Sequence, residues 1–421
     1  QPLVFAILAG LTPPGVEIEL YDERRETIDT DINVDLVAIT VETHSAARAY
    51  QISNKFKQKN IPVIMGGYHP TFMPEEAAEY ADSIVIGEAE EIWPDIIADA
   101  QSGNLKKIYC QKNQSSLEKL PIDRSVFKRK KYASIFPVQV SRGCKYFCDF
   151  CSINAFYGNS IRQRPIKDVV NEIKELRKNN IFFIDDNIFT TKNHAKKLFQ
   201  NLIPLKVNWV CQISIDIAKN HELLDLMAKS GCVAVVIGFE SLDIRNLNQM
   251  KKGWNIHKQK YDSLIFEIKK RGIMIYATFV FGYDYDTVES FEHVINFAIK
   301  HKFLLANFNP LTPMPETELY KRLEKEDRLL FKKWWIDPKY SYGKAIFRPL
   351  RMTPEQLTNG CFRARYIFNR YRSIASRAID FRTNCRSPLR LALYLHSNFI
   401  TRREIFRKQG RVFGLNIQNG N

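Results

Sequence analysis

The chain has 421 residues, 45% hydrophobic and 26% charged, with 18 Gly, 18 Pro and a net charge of +16. That balance supports two or three folded domains and excludes intrinsic disorder, a collagen repeat and a disulfide-stapled miniprotein. The sequence contains neither a charged-then-apolar leader nor an unbroken apolar run of about 18 residues, so a soluble, cytoplasmic protein is expected.

Taken in chain order, Leu3–Leu11 reads as a helix of the kind that follows a strand, and that strand is not in this sequence. Strands are predicted at Val16–Tyr21, Asp35–Val41, Pro62–Gly66 and Ser83–Ile86, rich in Val and Ile as buried parallel strands are. Ser45–Lys59 and Glu90–Gln101 read as helices between them, with Pro94 in the first turn of the second. Residues 1–108 thus predict a Rossmann-like, doubly wound α/β domain lacking its first strand, with ligands at strand C-terminal ends. Gly66, Gly67 and Gly87 fall at such ends, where the missing Cβ lets a ligand reach the backbone; ordinary turns also use glycine there.

Residues 109–136 are polar, basic and aperiodic, and read as a linker. A second alternating series fills 137–335. Its strands are expected at Phe136–Ser141, Ile181–Asp185, Asn208–Ile213, Val233–Gly238, Ile273–Phe281 and Leu304–Asn309. Its helices are expected at Ile166–Lys178, His194–Leu202, Glu222–Ser230, Lys258–Arg271 and Val288–Lys300. Six such units predict a partial (β/α)6 barrel with its chemistry at the strand C-termini. Residues 336–421 read as a basic helical extension, with no clear strand after about Thr353. From Ser341 onward sixteen Lys and Arg face only Glu355, Asp380 and Glu404, so thirteen of the net positive charges lie there. Such a stretch either attracts a polyanion or an anionic lipid surface, or is a solvated helical face without a partner. No nucleic-acid-binding module accompanies it, so an anionic membrane or a lipid-linked substrate is favoured over nucleic acid.

Eight Cys are too few for a secreted disulfide framework. Three of them, Cys144, Cys148 and Cys151, crowd into Ser-Arg-Gly-Cys-Lys-Tyr-Phe-Cys-Asp-Phe-Cys, directly after the first barrel strand. Three thiolates on one loop can wrap a soft metal centre. A structural zinc would want a fourth ligand, and no His lies between Cys110 and His194. A [4Fe-4S] cluster on three ligands would instead leave one iron open. Cys110, Cys211, Cys232, Cys361 and Cys385 lack ligand spacing and read as core or surface thiols.

This pattern closely resembles the radical S-adenosylmethionine superfamily, with its Cys-x3-Cys-x2-Cys signature and an aromatic, here Phe150, before the third Cys. The resemblance implies that Cys144, Cys148 and Cys151 hold a [4Fe-4S] cluster and that S-adenosylmethionine (SAM) chelates the fourth iron. Reductive cleavage would then give a 5′-deoxyadenosyl radical that abstracts hydrogen. It also implies SAM contacts from Asp185 and Asp186 after the second strand, Gln212 and Ser214 at the third, and Gly238 and Glu240 at the fourth, with Glu240 on the ribose. The stretch Phe279-Val280-Phe281-Gly282-Tyr283 would lie near the adenine.

A doubly wound domain ahead of the cysteine barrel resembles the cobalamin-binding class of this superfamily. So do Gly66-Gly67-Tyr68-His69-Pro70-Thr71, Pro74-Glu75-Glu76-Ala77, Gly87-Glu88-Ala89-Glu90 and the stretch from Asn309 to Thr317, where Glu316 stands in place of the usual Gly. The resemblance implies cobalamin near Gly66, Gly67 and Gly87. The motif Asp-x-His-x-x-Gly, which supplies a cobalt ligand in other cobalamin domains, is missing; the nearest match surrounds His44, which like His69 reads as an ordinary core or surface histidine. The implied function is cobalamin-dependent radical methylation of an unactivated carbon in a small-molecule or lipid-like substrate, with an electron donor such as flavodoxin or ferredoxin. Ring formation or oxidation without methyl transfer is the alternative within the class; a cobalamin sensor with an idle barrel is the alternative outside it.

Overall fold

The computed structural model describes residues 1–111, 113–158, 160–189, 191–253, 261–412 and 414. They divide into two units, one formed by residues 1–134, 333–340 and 411–421, the other by 135–332 and 341–410.

The first unit contains α1 (Leu3–Leu11), β1 (Val37–Thr40), α2 (Ala46–Lys57), β2 (Val63–Gly66), α3 (Tyr68–Phe72), α4 (Pro74–Tyr80), β3 (Ser83–Ile86), α5 (Trp93–Gln101) and β4 (Ile108–Cys110). Its four strands pair in parallel in the order β1-β2-β3-β4. One face buries Ile64, Val85 and Tyr109 under Trp93, Ile96 and Ile97 of α5, with Leu8 and Leu11 of α1 packed beside them. The strand expected at Val16–Tyr21 does not form. A strand needs a ladder partner for its backbone; β1 pairs with β2 alone, and Ile18 is exposed. Residues 109–136, expected as a linker, hold most of β4 and a 3-10 turn at Arg124–Phe127. The segment 333–340 joins this unit through Trp334 and Trp335, both fully buried.

The second unit runs β5 (Phe136–Val138), β6 (Ser141–Arg142), α6 (Ser152–Tyr157), β7 (Arg162–Gln163), α7 (Ile166–Leu176), β8 (Asn180–Phe183), α8 (Lys192–Leu202), β9 (Asn208–Ile213), α9 (His221–Lys229), β10 (Cys232–Glu240), α10 (Ile244–Gln249), α11 (Tyr261–Lys270), β11 (Met274–Phe281), α12 (Val288–Lys300), β12 (Leu305–Pro310), α13 (Glu318–Lys325), α14 (Pro354–Phe368), α15 (Tyr371–Ala378) and α16 (Pro388–Lys408). Six strands pair in parallel in the order β12-β11-β10-β9-β8-β5, as an open barrel wall requires. Helix starts are capped by short polar side chains: Thr191 accepts from the His194 amide, Asn220 from that of Leu223, and Thr287 forms a reciprocal box with Ser290. Of the helix expected at Lys258–Arg271, residues 258–260 lie outside the described residues, and α11 takes up the rest.

The Arg-rich extension is part of this unit. Arg377 is fully buried. Its guanidinium donates to the carbonyls of Phe303, Leu304 and Phe368 and to Asn398 Oδ1, at 2.8 to 3.3 Å, and lies 3.7 Å from the Phe368 ring centre. Backbone dipoles rather than a carboxylate solvate the charge, and burial pushes its pKa down to about 10. Arg390 similarly reaches the Val233 carbonyl at 2.7 Å, and Arg402 that of Asn369 at 2.8 Å. Part of the basic excess therefore fastens the last three helices to the barrel.

Candidate active site

The predicted barrel residues sit at the C-terminal ends of β5, β8, β9, β10 and β11 or on the loops that follow them. After β5 the chain turns through β6 and enters the cysteine loop at Gly143. That residue has φ of +85°, and a Cβ on it would lie 2.0 Å from the Ser160 carbonyl oxygen, so only glycine fits. Its amide donates to Asp186 Oδ2 at 3.3 Å. The amide of Cys151 closes a turn onto the Cys148 carbonyl at 3.1 Å. Asp149, between them, ties the loop to three other segments. Its amide bonds to the Met250 carbonyl, its own carbonyl accepts from the Leu319 amide, and its carboxylate accepts from the Tyr283 hydroxyl at 2.5 Å. Phe150 packs half-buried against the barrel core.

All three cysteines are free and partly buried. Burial raises each thiol, that of Cys148 to about 12, and the ammonium of Lys252 is the leading charge opposing this at Cys148. Among the described residues no three His, Cys, Asp or Glu side chains converge closely enough to hold a single metal ion. Three soft thiolate donors on one loop suit an iron–sulfur centre. A [4Fe-4S] cluster fits this donor set, and Lys252 would offset the thiolate charge.

Glu240 closes β10. The β10–β11 ladder shifts register between Gly238 and Glu240, and Glu240 takes φ of +61°. Its carboxylate folds back over Gly238, where a Cβ would lie 2.1 Å from Glu240 Oε1. Lys252, buried, donates to that oxygen at 2.8 Å and to the Gly238 carbonyl at 2.9 Å. Burial disfavours its charge, but the Glu240 carboxylate more than offsets this and holds its pKa above the usual value.

The two aspartates after β8 divide. Asp185 is buried and spends its carboxylate on the Val140 amide and the Ser141 hydroxyl, the latter at 2.6 Å, bracing β5 to β8; burial raises its pKa to about 7. Asp186, half-buried, lies toward the cysteine loop and is likewise raised by burial. Gln212 is exposed on β9, and its carbonyl accepts from the Ile188 amide at 3.2 Å. Ser214 accepts from Asn187 Nδ2 at 3.3 Å and lies 3.4 Å from the hydroxyl of Tyr146, which donates to Asp216 at 3.0 Å. Tyr146, Asp149 and Lys252 were not singled out in the sequence. No spacing marks them, and Lys252 stands in a charged run that resembles a solvated surface.

In the first unit Gly66 ends β2, Gly67 follows it and Gly87 follows β3. The Thr71 hydroxyl links the two loops, donating to the Gly67 carbonyl at 2.8 Å and accepting from the Gly87 amide at 2.9 Å. Nothing lies within 4 Å of where a Cβ on Gly87 would be, so the backbone there is open. His69 is fully buried, its Nε2 2.9 Å from the Tyr50 hydroxyl and 3.3 Å from Glu76. Glu76 also accepts from Trp335 Nε1 at 2.8 Å and pairs with Lys333 at 3.0 Å. Burial works to raise its pKa, but these partners hold it down at about 2. His44 is exposed after β1, its ring edge-on to Trp334 at 5.3 Å. Of the three glycines only Gly87 has open space around it; a Cβ on Gly67 would lie 3.0 Å from the Val41 carbonyl oxygen and one on Gly66 3.4 Å from Val85 Cβ, while His69 is engaged in the core.

Comparison with known proteins agrees with this division. Residues 138–298 match the Radical SAM superfamily and residues 7–97 the B12 binding domain. The bacteriochlorophyllide d C-12(1)-methyltransferase of Chlorobaculum tepidum is 31% identical over 370 residues, covering 85% of this chain and 80% of that protein. The bacteriochlorophyllide d C-8(2)-methyltransferase of the same organism is 30% identical over 374 residues, covering 84% and 82%. Among solved structures, the radical SAM methyltransferase TsrM from Kitasatospora setae, with cobalamin and a [4Fe-4S] cluster bound, aligns with a TM-score of 0.58 at 16% identity, covering 78% of this chain and 71% of its own. That likeness is one of fold.

Proposed function

The chain belongs to the cobalamin-binding class of the radical SAM superfamily, and from that membership we propose that it methylates an unactivated carbon of a small substrate. When bound, the cluster with SAM supplies a 5′-deoxyadenosyl radical and cobalamin supplies the methyl group. The observation that carries the reading is the loop of three free thiols set beside the Lys252–Glu240 pair, in a chain 31% identical to a methyltransferase of this class.

The protein's own part is to bind, orient and shield. Cys144, Cys148 and Cys151 ligate the cluster on a loop held at Gly143 and Asp149. Asp186 faces the SAM amino group, Gln212 and Ser214 line the neighbouring strand ends, and Glu240 receives the ribose hydroxyls, while Asp185 braces the wall behind. Gly66, Gly67 and Gly87 give cobalamin access to the backbone in residues 1–108, ahead of the barrel in 137–335. A low-potential electron donor such as flavodoxin or ferredoxin completes the system.

The bacteriochlorophyllide d methyltransferases are named for acting on a tetrapyrrole, so a tetrapyrrole is the first substrate class to test, with a lipid-like molecule as the second. The test supplies anaerobic protein, cobalamin, reductant and methyl-labelled SAM to each candidate. A labelled product supports methyl transfer; 5′-deoxyadenosine with an altered but unlabelled substrate returns the function to ring formation or oxidation.

A further inference from the structure

The outer face of α16, with the loop before it, is built for a surface of different chemistry from the active site. α16 turns Tyr394, Asn398 and Ile405 inward. Its opposite stripe exposes Leu389 (77%), Leu393, Phe399 and Ile400, and the preceding loop exposes Ile379 and Phe381 (75%). Leu389 and Phe381 are the most exposed large apolar side chains among the described residues, and a monomer in water gains nothing by presenting either.

Cations flank this face: Arg382 in the loop, then Arg403, Arg407 and Lys408 at the far end of the helix, while Arg386 turns to the Arg271 carbonyl at 3.1 Å. Between Tyr371 and Gly410 the only acids are Asp380 and Glu404. Both are already committed, Asp380 to Lys269 at 2.6 Å and Glu404 to Arg407 and Lys408 at 3.0 and 3.3 Å. Near Phe381 a recess of about 230 Å³ is lined by Lys300, Lys302 and Arg382 together with Asp262 and Asp380, which pair with Lys300 at 3.1 Å and Lys269 at 2.6 Å and leave Lys302 and Arg382 in excess.

Three occupants can be weighed. A second copy docking face to face would set arginine against arginine, which costs free energy across a two-fold interface. Nucleic acid would take the arginines but leave Leu389 and Phe381 wet. An anionic bilayer satisfies both sets at once, with aromatic and aliphatic side chains entering the headgroup layer and arginines meeting acidic headgroups. No helix among the described residues is long and apolar enough to cross a membrane, so the contact is peripheral. We propose that the outer face of α16 and the loop carrying Phe381 dock the enzyme on an anionic membrane surface. This goes beyond the methylation reading and does not depend on it, since it concerns a surface outside the strand-end loops.

The test is sedimentation of the full, anaerobically prepared, cofactor-loaded protein with vesicles of phosphatidylcholine alone or of phosphatidylcholine mixed with phosphatidylglycerol. Binding is expected to the mixed vesicles only, weakening with salt. The exposed double variant Phe381→Ser, Leu389→Ser should lose about tenfold or more in affinity, and so should Arg382→Glu, Arg403→Glu, each with iron content unchanged. Phe381→Trp keeps the apolar wedge and should shift its fluorescence to the blue on the mixed vesicles. Equal binding to both vesicle types, full binding by the serine variant, or a wild-type dimer that the same substitutions dissociate would each overturn the proposal.

Discussion

Glu240 and Lys252 form a buried pair 2.8 Å apart, and the carboxylate lies where a side chain on Gly238 would have to be. The Gly-x-Glu spacing at this strand end is thus a packing requirement: the bulge turns Glu240 back, and only glycine leaves it room. Gly238→Ala should expel the carboxylate from Lys252, costing about 1 to 3 kcal/mol of stability as overpacking does, and weaken SAM binding. Glu240→Gln leaves the Lys252 charge poorly matched and should cost more, about 3 to 5 kcal/mol. Combining it with Lys252→Met should restore part of the stability but not the SAM affinity. Denaturant unfolding and equilibrium dialysis read the two quantities separately; unchanged SAM affinity in all three variants would remove Glu240 from the SAM site.

The cysteine assignment separates three thiols from the rest. Cys144→Ala, Cys148→Ala and Cys151→Ala, singly or together, should abolish the brown absorption and the reductive cleavage of SAM. Cys211 and Cys361 are fully buried in the barrel core, their thiols held protonated by burial. Replacing either with Ala should leave one cluster per chain. Iron retained by the triple variant would sink the assignment.

Arg377 anchors the last helices without an acid partner, so its geometry matters more than its charge. Arg377→Lys keeps the charge but cannot span the carbonyls of Phe303 and Phe368 and the side chain of Asn398 together. It should destabilise by about 3 kcal/mol or more, close to the loss from Arg377→Met, because either change orphans buried carbonyls. Thermal unfolding of both variants checks this; a lysine variant as stable as the parent would mean the carbonyl cage contributes little.

Much of this was legible beforehand because barrels repeat one physical unit. Val and Ile runs followed by amphipathic helices place strand ends, and three cysteines beside one such end leave few chemistries open. What could not be read depends on partners distant in the chain. Val16–Tyr21 alternates like a strand but has no neighbour to pair with, and Trp334 and Trp335 pack with residues nearly three hundred positions earlier in the chain. Lys251 and Lys252 are alike in sequence; the first pairs on the surface with Glu318, the second is buried against Glu240. Glu316, where the class usually has Gly, takes φ of +64°, a region that glycine enters without strain. Glu316→Gly should therefore be neutral or stabilising by up to about 1 kcal/mol.

Stability should carry a mark of the buried carboxyls. Asp286 accepts from the Gly282 amide at 2.9 Å and Asn246 Nδ2 at 2.8 Å, yet burial raises its pKa to about 7 from an ordinary 3.8. The folded state thus holds its proton more tightly than the unfolded chain, so its contribution is present below about pH 4 and is lost as pH rises toward 7. Asp286→Asn removes that slope, which is at most about 1.4 kcal/mol per pH unit for one group. Urea unfolding of parent and variant across this window should show their difference changing with pH; parallel curves would mean Asp286 is ionised throughout.

The reaction itself leaves a countable trace. Hydrogen abstraction consumes one SAM and releases 5′-deoxyadenosine, while renewing the methyl donor consumes a second and releases S-adenosylhomocysteine. A methylase of this class should therefore produce the two in equal amounts, rising together with one labelled methyl group per product. Ring formation or oxidation would release 5′-deoxyadenosine alone, and an idle barrel would release neither above background. Glu240→Ala should depress both products in step, because its carboxylate is assigned to the ribose of SAM, by roughly 1.5 to 3 kcal/mol in apparent affinity for a hydrogen bond to a charged group. The substitution must be read against Lys252, whose unpaired charge would lower the yield by unfolding. Raising SAM to saturation should restore most of the rate if affinity is the loss, and would not if folding is. 5′-Deoxyadenosine without matched S-adenosylhomocysteine or label, for every substrate class tried, would end the methylation reading while leaving the radical chemistry in place.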